Sequence, residues 1–155
     1  MKVRDVMVKD AKFCSPKSNL AVVAEILWKQ GCGTLPVVEN GRVLGMITDR
    51  DICIALGTRN EKAAETLVKD VTLPKLFYCA PEDDIHTALR TMAAQKVRRL
   101  PVIDSQGILA GILCLDDIAL VAEEEAGELT YFDVVETLKA ICEHTTAFKA
   151  LAVTR

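Results

Sequence analysis

The tetrad Val3-Arg4-Asp5-Val6 returns 65 positions later as Val68-Lys69-Asp70-Val71, and the same offset superposes Cys14-Ser15-Pro16 on Cys79-Ala80-Pro81. It then lays Leu35-Pro36-Val37-Val38 on Leu100-Pro101-Val102-Ile103. One inserted residue changes the offset to 66, after which Gly45-Met46-Ile47 falls on Gly111-Ile112-Leu113 and Asp51-Ile52 on Asp117-Ile118. Four anchors in one order make the chain an internal tandem duplication. A period of this size, present only twice, means two copies of one supersecondary unit sharing a core rather than a solenoid. At 155 residues the chain has the volume of one well-filled domain, and two independent full-sized domains do not fit.

Each copy reads the same way. Leu20, Val23, Ala24 and Leu27 recur at i, i+3, i+4, i+7, as do Ile85, Ala88, Leu89 and Met92, so each set predicts a helix with one buried stripe. Ser18 or Asn19, and Asp83 or Asp84, supply the N-cap oxygen. A strand from Leu35 to Glu39 follows, then Asn40-Gly41, a strong hairpin signal because both residues accept positive φ, then a strand from Arg42 to Thr48. Copy two replaces that turn with the longer Ser105-Gln106-Gly107. Final helices are expected over Asp49 to Leu56 and Leu115 to Glu123, with a short leading strand around Cys14 or Cys79. The expected fold class is α/β in the α+β sense: two β-α-β-β-α repeats plus a C-terminal helix. Its divisions are residues 1–60 for repeat one, 61–125 for a joining segment with repeat two, and 126–155 for a helical extension. In that extension Val134, Val135, Leu138, Ile141 and Cys142, between Tyr131 and His144, trace a stripe that has to be buried against this domain or a second subunit. The acidic run Glu123-Glu124-Glu125 with Glu128 reads as a solvated face.

Half the residues are hydrophobic but only 5% are aromatic, so Val, Ile, Leu and Ala carry the core. A net charge of −3 and a pI near 5.4 give no electrostatic reason to meet nucleic acid or an anionic membrane. The longest apolar stretches fall short of the roughly 20 residues a membrane span needs. The start, Met1-Lys2-Val3-Arg4-Asp5, lacks an apolar signal core, which makes the cytoplasm the expected location. Six cysteines (Cys14, Cys32, Cys53, Cys79, Cys114, Cys142) form no Cys-x-x-Cys pair and have only His86 and His144 to join them, so no metal site is expected. In a reducing compartment they read as small hydrophobes.

The strand-to-helix junction Gly45-Met46-Ile47-Thr48-Asp49-Arg50-Asp51, with its counterpart Gly111-Ile112-Leu113-Cys114-Leu115-Asp116-Asp117, carries the chemistry. Thr48-x-x-Asp51 is spaced as a capping box, and an acidic first turn suits the helix dipole. The same physics serves a ligand: a helix N-terminus offers free N–H groups to a phosphate, and a carboxylate can accept two hydrogen bonds from a ribose diol.

With Leu-Pro-Val after the first helix and Gly-h-h-Thr-x-x-Asp (h apolar) before the second, twice and in register, residues 1 to 123 resemble a tandem pair of cystathionine-β-synthase (CBS) domains, a Bateman module. The resemblance implies a pseudo-twofold regulatory module, not an enzyme, with two clefts between repeats that bind adenosine-containing ligands in many members. Carried over residue by residue, the first cleft sets Met46, Thr48, Arg50 and Asp51 against Ala80, Ile85, Val97, Arg98 and Arg99. There Asp51 would hold the ribose, Thr48 and Arg50 the phosphate with added charge from Arg98 and Arg99, and Val97 with Ile85 would sandwich the adenine. Arginine's planar fork suits phosphate. The second cleft sets Ile112, Cys114, Asp116 and Asp117 against Ser15, Leu20, Cys32, Gly33 and Thr34. Here Cys114 replaces the usual hydroxyl, and Asp116 replaces Arg50 with a charge that opposes phosphate, so the two sites are expected to be unequal. No obligatory cofactor is implied. The expected ligand is AMP, ADP or ATP, with or without Mg, ahead of NAD or S-adenosylmethionine. The expected partners are a second copy of the chain, joined through helical faces, and a regulated protein the sequence does not identify.

Two other readings compete. In one, the repeats only maintain a ligand-free dimerisation or interaction surface, with Asp51 and Asp117 as helix caps. In the other, a cysteine acts as a nucleophile, the sequence carrying no Ser-His-Asp order, paired catalytic acids or Walker loop.

Overall fold

A computed structural model describes residues 1–72, 75–124 and 127–143; Glu125 of the acidic run and His144 lie outside them. The chain divides into two compact units. The first comprises Val8–Pro81 and Pro101–Ile112, and the second Met1–Met7, Glu82–Leu100 and the chain from Leu113 onward.

In the first unit, helix α2 (Leu20–Gln30) starts where Asn19 accepts a hydrogen bond from the Val22 amide, and stops at Gly31 in the left-handed region. Strands β1 (Thr34–Glu39) and β2 (Arg42–Thr48) pair antiparallel around Asn40 and Gly41, whose φ angles of 53° and 79° give the expected tight turn. The leading segment is a single parallel bridge: the Cys14 amide donates to Pro36 and its carbonyl accepts from Val38. Cys79 repeats this against Pro101 and Ile103, so the two cysteines occupy one structural position, each 3% exposed. Helix α3 (Asp49–Arg59) runs three residues beyond the expected Leu56 and ends at Asn60, also left-handed. Leu20, Val23, Leu27, Leu35, Val37, Ile47, Ile52 and Val68 close over Cys14 as one core, and Val38, Val43 and Ile103 form a smaller cluster. Burying each such side chain contributes about 1.5–3 kcal/mol.

Strands β3 (Arg99–Ile103) and β4 (Leu109–Cys114) pair with each other, with residues 101–103 and 109–112 counted in the first unit. In the second unit, helix α5 (Ile85–Gln95) is capped by Asp84, and α6 (Leu115–Val121) begins directly after Cys114. Ile85, Leu89, Met92, Leu100, Leu113 and Ile118 are buried. The terminal helix α7 (Tyr131–Cys142) opens on a capping box between Thr130 and Asp133 and packs along α5. Its expected stripe is only partly covered. Thr137 is buried and Val134 and Ile141 half-buried, but Val135 and Leu138 are 50% and 39% exposed and Cys142 is exposed. The face that meets α5 runs through 134, 137 and 141, spaced i, i+3, i+7, and leaves the other apolar residues outward.

Two one-turn helices, α1 (Val3–Val6) and α4 (Val68–Val71), were not apparent as helices in the pattern. Their docking is reciprocal. Val3 donates to the Asp83 carbonyl at 2.9 Å, and Val68 donates to the carbonyl of Ser18, the counterpart of Asp83, at 2.9 Å. Ile85 donates to Met1 and Leu20 donates to Thr66 in the same relationship. Each sequence repeat therefore lends its leading turn to the helices of the other. Among the described residues no helix is long and apolar enough to cross a membrane.

Candidate functional site

The junction between β2 and α3 is the best-formed polar feature of the first unit. β2 ends extended, so Thr48 takes the N-cap position with φ −118° and ψ 160°. Its amide and its hydroxyl both donate to Oδ2 of Asp51, at 2.9 and 2.7 Å, and the Asp51 amide returns a 3.0 Å bond to Thr48 Oγ1. The capping box of the sequence is thus formed. Thr48, Met46 and Asp51 are half-buried and Arg50 is exposed. Asp49 donates its amide to the Gly33 carbonyl at 3.1 Å, and Thr34 donates its hydroxyl to Ile47 at 3.0 Å. Gly33 and Thr34 are therefore brought beside Thr48 and Asp49 of their own repeat.

The second unit holds the counterpart junction. The Leu115 amide donates to the Arg98 carbonyl at 2.9 Å, the same bond that joins Asp49 to Gly33. No side-chain hydrogen bond from Cys114 caps α6, whose first turn still carries Asp116 and Asp117. Burial, then the Asp117 charge, pushes the Cys114 thiol up to about 11, with Arg99 acting in the opposite direction. Arg99 also lies 3.6 Å from the Asp116 carboxylate. The charge expected to oppose a phosphate is thus paired with an arginine, which stands at the position of Thr34 in the other repeat. Each junction thus carries one arginine, from the helix in repeat one and from the strand in repeat two.

The remaining candidates divide as follows. Met46, Thr48, Arg50, Asp51 and Ala80 belong to the first unit, as do Ser15, Leu20, Cys32, Gly33, Thr34 and Ile112. Ile85, Val97, Arg98, Arg99, Cys114, Asp116 and Asp117 belong to the second. Ile85 and Leu20 are each 0% exposed, because the first residue after the N-cap is turned into its own core, so neither offers surface to a ligand. Val97 is half-buried and Arg98 exposed.

The thiols do not favour nucleophilic chemistry where they are most enclosed. Burial pushes Cys14 up to about 11, as it does Cys114, and a thiol that stays protonated is a poor nucleophile. Among the described residues no cluster of three His, Cys, Asp or Glu side chains is placed to hold a metal ion. His86 sits between two carboxylates, 3.3 Å from Asp84 and 3.7 Å from Asp133.

Comparison with known proteins places these features in a wider group. The model of the CBS domain matches the chain twice, over residues 3–58 and 68–124. A CBS domain-containing protein of Bacillus subtilis, YhcV, is 34% identical over 127 residues, 81% of this chain and 89% of that protein. Two solved structures share the fold. The CBS domain pair of MJ0100 in complex with 5-methylthioadenosine and S-adenosyl-L-methionine is 21% identical, with a TM-score of 0.71 over 78% of this chain and 94% of that one. CBSX2 in complex with AMP is 23% identical, with a TM-score of 0.63 over 99% of this chain and 98% of that one.

Proposed function

Because the chain belongs to the CBS-domain family, we propose that it is a regulatory module that binds an adenosine-containing nucleotide and signals occupancy to a partner protein. The observation that carries this reading is how the Thr48–Asp51 cap is made. Both hydrogen bonds from Thr48 go to one carboxylate oxygen, Oδ2, of a half-buried aspartate. A carboxylate has about four acceptor positions, so the cap and a ribose diol are compatible partners of Asp51. The capping and ligand roles, alternatives in the sequence, need not exclude each other.

In this reading Asp51 accepts from the ribose, Arg50 meets phosphate, and Met46 and Ala80 border the base. The junction at Cys114, Asp116 and Asp117 is the weaker second site. The ligands carried by the two structural relatives, AMP in one and S-adenosylmethionine with methylthioadenosine in the other, share the adenosine moiety and support that chemical class. Arg50 favours AMP, ADP or ATP, with or without Mg, within it. The action is regulatory and not catalytic, exerted as a homodimer on another chain.

The test is the melting temperature in millimolar AMP, ADP and ATP. A ligand that binds only the native state stabilises it by RT ln(1 + [L]/Kd), about 2.7 kcal/mol at one hundred times Kd. At least one of the three is expected to raise it by several degrees. If all three leave it unmoved, the chain is a ligand-free interaction module.

A further inference from the structure

Residues 9–13 form an arch in the first unit that is pinned at both ends. Before it, Val8 and Ile112 exchange backbone hydrogen bonds of 2.9 and 3.0 Å. After it, the Cys14 amide donates to Pro36 and the Cys14 carbonyl accepts from Val38. Among the described residues, no amide or carbonyl of residues 9–13 is hydrogen-bonded within the chain. Near the arch stands Asn40-Gly41, the tip of the first hairpin, and Ile108-Leu109 is held against that tip by the Leu109 amide, which donates to the Gly41 carbonyl at 3.3 Å. Glycine at position 41 permits this approach: a Cβ there would lie 3.1 Å from Cδ1 of Ile108.

Arch, tip and Ile108-Leu109 line an open cavity of about 650 Å³, within the range of roughly 300–1,000 Å³ usual for small-molecule sites. Val38 and Leu109 line it and also belong to the smaller hydrophobic cluster, so part of the cavity wall is core that the protein leaves incompletely covered. Phe13 and Ile108, 55% and 36% exposed, extend the apolar wall. Lys9 and Lys12 line the same cavity, and neither forms an ion pair among the described residues. Asp10 is the one carboxylate in the lining, so two ammonium groups against it leave the cavity cationic.

We propose that this cavity binds a small anionic amphiphile, a carboxylate on an alkyl body, with the carboxylate at Lys9 and Lys12 and the alkyl body against Phe13, Val38, Ile108 and Leu109. Two physical effects converge on that class. Apolar ligand surface gains in proportion to the area it removes from water, and the exposed wall supplies such area. An ammonium donates charge-assisted hydrogen bonds to a carboxylate, whereas a cationic head group would meet like charge. Because the backbone of residues 9–13 has no hydrogen bonds within the chain to break, the arch adjusts to a ligand without loss elsewhere. The cavity shares no residue with the Thr48–Asp51 junction, so this site stands or falls apart from the nucleotide reading.

Two-dimensional NMR of the isotope-labelled full chain tests this, with octanoate and octylammonium as separate probes. Octanoate is expected to shift the amides of residues 9–13 and of Asn40, Gly41 and Ile108 saturably, and to bind about three-fold or more tightly than octylammonium. The double variant Lys9→Gln with Lys12→Gln should weaken octanoate about three- to ten-fold and leave octylammonium no weaker. Phe13→Ala, a change at an exposed position, should weaken both probes alike by about three-fold, because it removes apolar contact and no charge. If octanoate moves none of these amides, or octylammonium binds as tightly, the proposal is overturned. Shifts that never saturate would mean adventitious contact only, and would overturn it as well.

Discussion

Thr48 and Asp51 each hydrogen-bond the other, the hydroxyl donating to the carboxylate at 2.7 Å and the Asp51 amide donating back to the hydroxyl at 3.0 Å. In the second repeat the same positions are Cys114 and Asp117, and no side-chain bond from Cys114 caps α6. One duplicated junction thus has a side-chain cap on its helix and the other does not.

The asymmetry predicts opposite outcomes for two substitutions. Thr48→Ala removes a formed cap and should cost about 1 kcal/mol. Cys114→Thr supplies a hydroxyl where an acidic residue already stands three positions on, and should gain up to about 1 kcal/mol. Urea denaturation of the two variants measures both changes, and a loss of stability in Cys114→Thr would contradict the account of the second junction.

Alkaline pH should unsettle the fold through Cys14. Burial raises its thiol from 9.0 to about 11 in the folded chain, so the protonated form is the one that folding favours. Its contribution is fully present below pH 9 and is lost as the pH rises towards 11. Two pH units correspond to about 3 kcal/mol. Denaturation midpoints between pH 8 and pH 11 should therefore fall, and Cys14→Ala should flatten that part of the slope. A slope unchanged in the variant would remove Cys14 as its source.

The exchanged leading turns make a third prediction. Val3 and Val68 are each 0% exposed in four-residue helices that isolated turns of this length could not sustain. Val3→Ala and Val68→Ala should each destabilise by about 2 kcal/mol, since each deletes two buried methyl groups and leaves a cavity. Thermal unfolding gives the values. A neutral result at either position would mean that the turn is not part of the core it enters.

What could be read in the sequence was local. Asn40-Gly41 and the Thr48–Asp51 box depend on residues within four positions of one another, so their spacing alone specified them, while the caps were narrowed to Ser18 or Asn19 and to Asp83 or Asp84, of which the structure uses Asn19 and Asp84. The exchange of Val3–Val6 and Val68–Val71 was hidden for the opposite reason: the two segments are near copies, and either fits the helices of either repeat. The partner of Asp116 was missed because alignment pairs Arg99 with Thr34, and a compensating charge on a neighbouring strand leaves no trace at a fixed offset. The buried face of α7 was misjudged because Val134 and Val135 are equivalent in hydropathy, and only the position of α5 decides which one turns inward.

The central claim is that Asp51 holds the ribose of an adenosine nucleotide, and calorimetric titration of the wild type and of Asp51→Ala with ADP tests it most directly. The wild type should show a saturable event that the variant loses, about a hundred-fold in affinity for a ribose held by two charge-assisted hydrogen bonds. A circular dichroism spectrum matching the wild type would show that the fold remains. Undiminished ADP binding by a folded Asp51→Ala variant would contradict the assignment.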